Sequence, residues 1–172
     1  MSTRKANYIT LDELNEEVGK DVVRYFFNMR NVNSHMVFDL AVAKKQSDEN
    51  PVFYLQYAHA RISSILRRVK EEQLEVSINH LELLIHEDEQ ALLKVLHNFE
   101  EEVLNSAENL ESHKLCTYLY DLASAYHRFN RSCRILGTER HLAEARLALA
   151  YATMIVIKNG LSILGVSAPE QM

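Results

Sequence analysis

Two sets of residues in this 172-residue chain have the types and spacing to act together at a surface. The first is Tyr54, Tyr57, Arg61, Ser64 and Arg68, which recur at steps of three and four residues. Steps of that length fall on one face of a helix. The face is aromatic at its start and basic toward its end, so it can stack planar groups and pair with anions. The second set is Tyr120, Ser124, His127, Arg131 and Arg134, again polar, aromatic and basic at helical steps. A plainer alternative makes Tyr54 and Tyr57 core aromatics whose hydroxyls just reach water. The spacing leaves both open.

Other chemistry is missing. The chain has no Walker loop, no GxGxxG, no HExxH and no GxSxG. It has 8 histidines, but none follows a Glu three residues earlier, so the Glu-x-x-His pattern of helical di-iron proteins is absent. The run His86-Glu87-Asp88-Glu89 reads as a helix start, where acidic residues meet the positive end of the dipole. His59 lies beside an apolar stripe and reads as a satisfied, partly buried histidine rather than a ligand. Cys116 and Cys133 form no CxxC pair, which argues against zinc or a disulfide scaffold, and no metal is expected.

Helices must position the two faces. Asn50-Pro51 is a strong start signal, with Asn50 as cap and Pro51 at the first helical position. The helix predicted from there runs to about residue 70. Leu55, Ala58, Ile62, Ile65 and Val69 form its core stripe, about 100° from the aromatic and basic one. A second long helix is predicted over 113–136, with Leu115, Leu119, Leu122, Tyr126, Phe129, Cys133 and Leu136 inward and Gly137 as terminator. A last helix over 139–164 is apolar nearly all round and should lie at the centre of a bundle. Gly165 ends it.

The remaining elements are shorter. Residues 8–11 read as an extended stretch, then a brief helix capped by Thr10 or Asp12 and closed by Gly19. Asp21 opens a helix to about Arg30. Residues 36–40 read as a second short strand, followed by a helix to about Ser47. The acidic middle should hold helices near 79–85 and 87–106.

Bulk composition agrees with a helical fold. Apolar residues make up 47 %, with only 4 Gly and 2 Pro. No apolar run reaches the roughly 18 residues of a membrane span, and no signal-peptide core follows the N-terminus. The simplest reading is one cytoplasmic, reduced protein that enters no membrane. Net charge is -5, but residues 71–111 carry 12 Asp/Glu against one basic residue, Lys94, so both flanks are mildly basic. Screening confines a field to about 8–10 Å, so a local basic surface is enough to attract phosphates.

Several segments share one resemblance. Asn50-Pro51-Val52-Phe53-Tyr54-Leu55-Gln56-Tyr57-Ala58-His59-Ala60-Arg61 is similar to N-P-x-x-Y-x-Q-Y-A-H-[AS]-R of class I arginyl-tRNA synthetases. The segment from Val18 to Phe27 resembles that family's V-G-x-D-x-x-R-[FY]-F-F. The segment from Ser34 to Ala41 resembles its S-H-L-x-F-D-L-D. Ala145 to Leu149, and Leu164 to Met172, resemble its A-R-L-x-L and its L-G-[VI]-x-x-P-E-x-M ending. Met1-Ser2-Thr3-Arg4-Lys5-Ala6-Asn7 resembles the KMSKS-type loop in the form K-M-S-T-R-x-G-N, without its first Lys and with Ala6 for Gly.

The resemblance implies an all-α helical bundle of the DALR anticodon-binding type, with a short extended N-terminal remnant. Residues 1–20 would be the end of the catalytic part and residues 21–172 the anticodon-binding domain. The Met1, Ser2, Thr3, Arg4 loop would touch ATP phosphates in an intact arginine–tRNA ligase, which uses ATP and Mg. A chain without the nucleotide fold, the HIGH motif and the arginine pocket is expected to be inactive alone and to need no cofactor. Its expected partners are the anticodon arm of an arginine-accepting tRNA and the missing catalytic domain, with no DNA. Single-stranded loops are read by stacking and by base-edge hydrogen bonds, for which Tyr54, Tyr57, Arg61, Ser64 and Arg68 are suited. Asn130, Arg131 and Arg134 would form a second wall, although Asn130 stands where the family often has Tyr. Met172 ends the chain where the family's chains end and is a further candidate. A helical protein–protein adaptor without RNA affinity is the alternative, resting on the acidic middle.

Overall fold

A computed structural model of the chain describes residues 9–69 and 73–172. Among these residues the fold is all-helical, with no strand. The helices are α1 (Leu11–Val18), α2 (Lys20–Asn28), α3 (Leu40–Ala43), α4 (Pro51–Val69), α5 (Glu87–His97), α6 (Phe99–Glu108), α7 (Ser112–Ser132) and α8 (Arg140–Ile163). A single 3₁₀ turn, Leu81–Leu83, precedes α5.

The long helices form the bundle. Leu55, Ala58, Ile62, Ile65 and Val69 of α4 are all buried, as their spacing predicts. They share one core with Leu115, Leu119, Leu122, Tyr126 and Phe129 of α7 and with Leu149, Ile157 and Leu161 of α8. α8 is buried on several sides, through Ala143, Ala145, Leu147, Ala150 and Thr153. It comes very close to α7 at Gly160, where an added Cβ would lie 2.5 Å from a Leu119 methyl. α5 and α6 both pack along α7.

Several expectations are corrected. The extended stretch over 8–11 is replaced at its end by α1, because Thr10 and Glu13 close a capping box that makes Leu11 helical; Tyr8 lies outside the described residues. Residues 36–39 are irregular rather than a strand, and Asp39 instead caps α3 through the Val42 N–H at 3.0 Å. α3 stops at Ala43, well before Ser47, and Asn50 takes up the carbonyls that follow. The helix expected over 79–85 shrinks to one turn: in 81–85 only Leu84 is buried, too little to offset the cost of nucleation. The helix expected over 87–106 divides at Asn98 into α5 and α6.

α7 also ends early, at Ser132 rather than Leu136. Cys133 is extended (φ -114, ψ 98), and the turn buries Cys133 and Ile135 together. Gly137, with φ +76, sits in the loop beyond and does not terminate the helix. Arg146 of α8 stabilises this exit. Its Nη1 donates to the Arg134 carbonyl at 2.7 Å and its Nε to Glu89 Oε1 at 2.6 Å. Glu89 is 0 % exposed, so the guanidinium compensates a buried carboxylate and also bonds a carbonyl of the turn after the helix.

Asn50 sets the start of α4. It is 3 % exposed; its Oδ1 accepts the Val52 N–H at 3.1 Å, and its Nδ2 donates to the Ala43 and Lys45 carbonyls, both at 3.0 Å. Asn50→Ala removes the cap and leaves two carbonyls without their donor. It should therefore lower stability by roughly 2–4 kcal/mol. Urea unfolding followed by far-UV circular dichroism measures this, and an unchanged midpoint would show that water replaces the amide.

Candidate functional site

The C-terminal tail builds one wall of the site. α8 closes in a Schellman motif: Val166 N donates to Leu161 O at 2.9 Å and Gly165 N to Ser162 O at 3.0 Å. Gly165 has φ +69, a conformation that glycine adopts at little cost, and a Cβ there would lie 2.1 Å from Arg24 Nη1. The chain then turns back along α4.

Side chains of α4 hold the tail there. Gln56 Nε2 donates to Ser167 O and to Asp21 Oδ2, both at 3.0 Å. Ser167 Oγ donates to the same Asp21 oxygen, which ties α2, α4 and the tail together. His59 Nδ1 lies 2.8 Å from the Pro169 carbonyl. A carbonyl only accepts, so His59 carries its hydrogen on Nδ1. Its Nε2 is buried and finds no partner among the described residues. Arg67 Nη1 reaches the Glu170 carbonyl at 3.3 Å.

These contacts bring Glu170, Gln171 and Met172 over the outer face of α4. The result is an open cleft of about 330 Å³ lined by Tyr57, Ala60, Arg61, Ser64, Arg67 and the last three residues. Its lining has one aromatic ring, two guanidinium groups, two hydroxyls, a carboxamide, a carboxylate and a thioether; the ring and the guanidinium planes suit a planar polar group attached to an anion.

A ladder of rings runs from the cleft toward α7. Phe53 and Tyr57 lie nearly parallel, with centroids 6.2 Å apart and planes 7° apart. Tyr57 stacks on His127 at 5.9 Å and 21°. His127 meets Tyr54 at 4.5 Å, and Tyr54 meets Tyr120 at 5.2 Å. The outer rings remain in water: Tyr57 is 44 % exposed and Tyr120 42 %. Beside the ladder the buried Tyr126 hydroxyl has no partner among the described residues. Burial pushes its pKa well up, with Arg61 opposing the shift. Burial holds the His127 pKa below its ordinary value, a hydrogen bond to the Tyr54 carbonyl opposes this, and Arg131 adds to the lowering.

The structure brings Tyr57, Arg61, Ser64 and Met172 into one cleft. Tyr54 is half-buried inside the ladder, and Arg68 is exposed on α4 beyond the cleft lining. Asn130 is half-buried and Arg131 exposed in the last turn of α7. Arg134 is corrected: it lies past the end of α7, its carbonyl taken by Arg146, so it does not extend the helical stripe. Met1, Ser2, Thr3 and Arg4 lie outside the described residues. Sequence reasoning missed Arg67, Glu170 and Gln171, because only the fold brings the tail back to α4. His127 was legible as a stripe member but not as the link between two helices. Among the described residues no group of three or more His, Cys, Asp or Glu is spaced to hold a metal. No helix there is long and apolar enough to cross a membrane.

Residues 55–172 match the family model described as the DALR anticodon binding domain. The chain belongs to this family. The whole DALR chain is also 51 % identical over 177 residues to the arginine–tRNA ligase of Salinibacter ruber and 50 % identical over 175 residues to that of Carboxydothermus hydrogenoformans. It spans 31 % of the length of each. Among solved structures, the arginyl-tRNA synthetase of Thermus thermophilus superposes with a TM-score of 0.80 at 29 % identity, over 99 % of the DALR chain and 29 % of that protein. The all-helical fold matches the expected class, and the cleft and ladder lie within the matched region apart from Phe53 and Tyr54.

The neutral form of His127 fits its half-buried place between α4 and α7, so the sign of its pH effect follows. A lowered folded-state pKa means that its contribution is fully present above the ordinary value of about 6.5 and is lost as pH falls through the folded pKa. The melting temperature should therefore fall less between about pH 7.5 and about pH 5 in His127→Phe than in the unsubstituted chain. Equal falls in the two proteins would show that folding does not shift the titration of His127.

Proposed function

We propose that this domain binds the anticodon stem-loop of an arginine-accepting tRNA, as one part of an arginine–tRNA ligase. The carrying observation is the cleft in which Tyr57, Arg61 and Ser64 face the tail residues Gln171 and Met172. A ring, a guanidinium plane and short polar groups meeting in an open cleft suit an unstacked base better than a duplex. Tyr57 supplies a stacking surface and Arg61 either a second plane or a phosphate contact. Tyr54 supports from within the ladder. Arg67, Arg68 and Arg131 provide local positive charge despite the chain's net charge of -5. Asn130, at the end of α7, and Arg134, beyond it, lie outside the cleft lining and enter this reading only as candidates for a more distant contact.

The aminoacylation reaction belongs, in this reading, to the catalytic portion of the enzyme. ATP and Mg²⁺ would be held there, with Met1, Ser2, Thr3 and Arg4 contributing from residues 1–20 as the edge of that site. Residues 21–172 supply recognition of the tRNA and no chemistry of their own, in the cytoplasm.

A salt titration of tRNA binding tests this reading, with a tRNA of different anticodon as control. Preference for the arginine acceptor, with log affinity falling linearly in log salt, is expected. Equal or absent binding to both at low salt would turn the reading toward a protein–protein adaptor. Within the cleft, Arg61→Ala should weaken binding by roughly 1–3 kcal/mol. If Arg61 meets a base, the salt slope should stay nearly unchanged; if it meets a phosphate, the slope should drop by about 1. Unchanged affinity would remove Arg61 from the interface.

A further inference from the structure

The ring ladder contains a residue that the cleft alone does not explain. His127 lies on α7, outside the cleft lining, yet its ring meets Tyr54, Tyr57 and Tyr126 at centroid distances of 4.5, 5.9 and 5.6 Å. Its Nε2 also faces the Tyr54 carbonyl at 3.5 Å. Tyr57 is the most exposed ring of the ladder, and its known ring neighbours are Phe53 on its own helix and His127 on the other. Phe53 shares the register of α4 and cannot fix Tyr57 relative to α7. His127 can, because α7 presents it at an interplanar angle of 21° to the Tyr57 ring.

An exposed tyrosine whose ring is not packed samples several rotamers and must lose that freedom when a base stacks on it. A ring already held in place binds without that cost. We propose that His127 is a positioning residue for RNA recognition: it fixes the plane of Tyr57 from across the α4–α7 contact, so that the exposed part of Tyr57 is presented ready for a base. This rests on the anticodon-binding reading above. His127 touches no RNA itself; it acts through Tyr57. The groups around it are Tyr54 and Tyr57 on α4, and Tyr126 and Arg131 on α7, with Arg61 acting on the neighbouring Tyr126, so the site keeps its positive charge when His127 is replaced.

The test is a double-mutant cycle on the full 172-residue chain, with an arginine-anticodon RNA hairpin as probe. Tyr57→Ala should weaken binding about tenfold, the loss of one base–aromatic stack. His127→Ala should weaken it about fivefold, and the double variant should be no weaker than Tyr57→Ala alone. His127→Phe keeps a ring and should restore most of the loss. Losses that multiply in the double variant, or full affinity in His127→Ala, would overturn the proposal.

A second measurement needs no RNA. The ring resonances of Tyr57, assigned by their disappearance in Tyr57→Ala, should shift and sharpen in His127→Ala and stay dispersed in His127→Phe. Unchanged resonances in His127→Ala would overturn the positioning role even if affinity fell. If the resonances respond as expected but the unsubstituted chain does not bind the hairpin above a control hairpin, the anticodon-binding reading fails, and with it the purpose assigned to His127.

Discussion

One helix has to face two ways. α4 turns Leu55, Ala58, Ile62, Ile65 and Val69 into the core while it turns Tyr57, Arg61 and Ser64 outward. The two stripes lie about 100° apart, so a small rotation of α4 about its axis would expose part of one and bury part of the other. Close packing inside the bundle opposes such rotation from the inner side. Asn50 opposes it at the end, because a single buried amide bonds the chain before the helix and the first turn within it. The tail opposes it from outside, through Gln56, His59 and Arg67.

The long helices were legible because their signals are strong and local. The Asn50-Pro51 start, the five-residue core stripe of α4 and the apolar run of α8 all correspond to what folds. Boundaries inside the polar segments were not. The splitting of the acidic stretch at Asn98 leaves both halves free to pack on α7, a reason that lies on another helix. The early end of α7 has the same character. Nothing near Ser132 announces a stop; Ile135 and Cys133 gain burial there, and Arg146 on α8 bonds the Arg134 carbonyl in the turn that follows.

The site shows the same division. Tyr57, Arg61 and Ser64 share a face by spacing alone, and spacing is visible in a sequence. The cleft exists because the last residues of the chain lie across that face, which depends on a left-handed glycine and on bonds spanning more than a hundred residues. Arg67 differs from its neighbour Arg68 by the 100° that separates adjacent helical positions, and only the tail's path makes that difference matter. Arg134 illustrates the converse: it kept the period of a stripe whose helix had already ended.

The tail is fastened by its main chain. Ser167, Pro169 and Glu170 each offer a carbonyl oxygen to a donor on α4, and these oxygens are the same whatever side chain follows them. Fastening and display are thereby separated along a few residues. Side chains at Glu170, Gln171 and Met172 can be exchanged without moving the strand of backbone that carries them. Over evolutionary time such an arrangement lets the wall of the cleft change its chemistry by single substitutions while the mould that shapes it stays fixed.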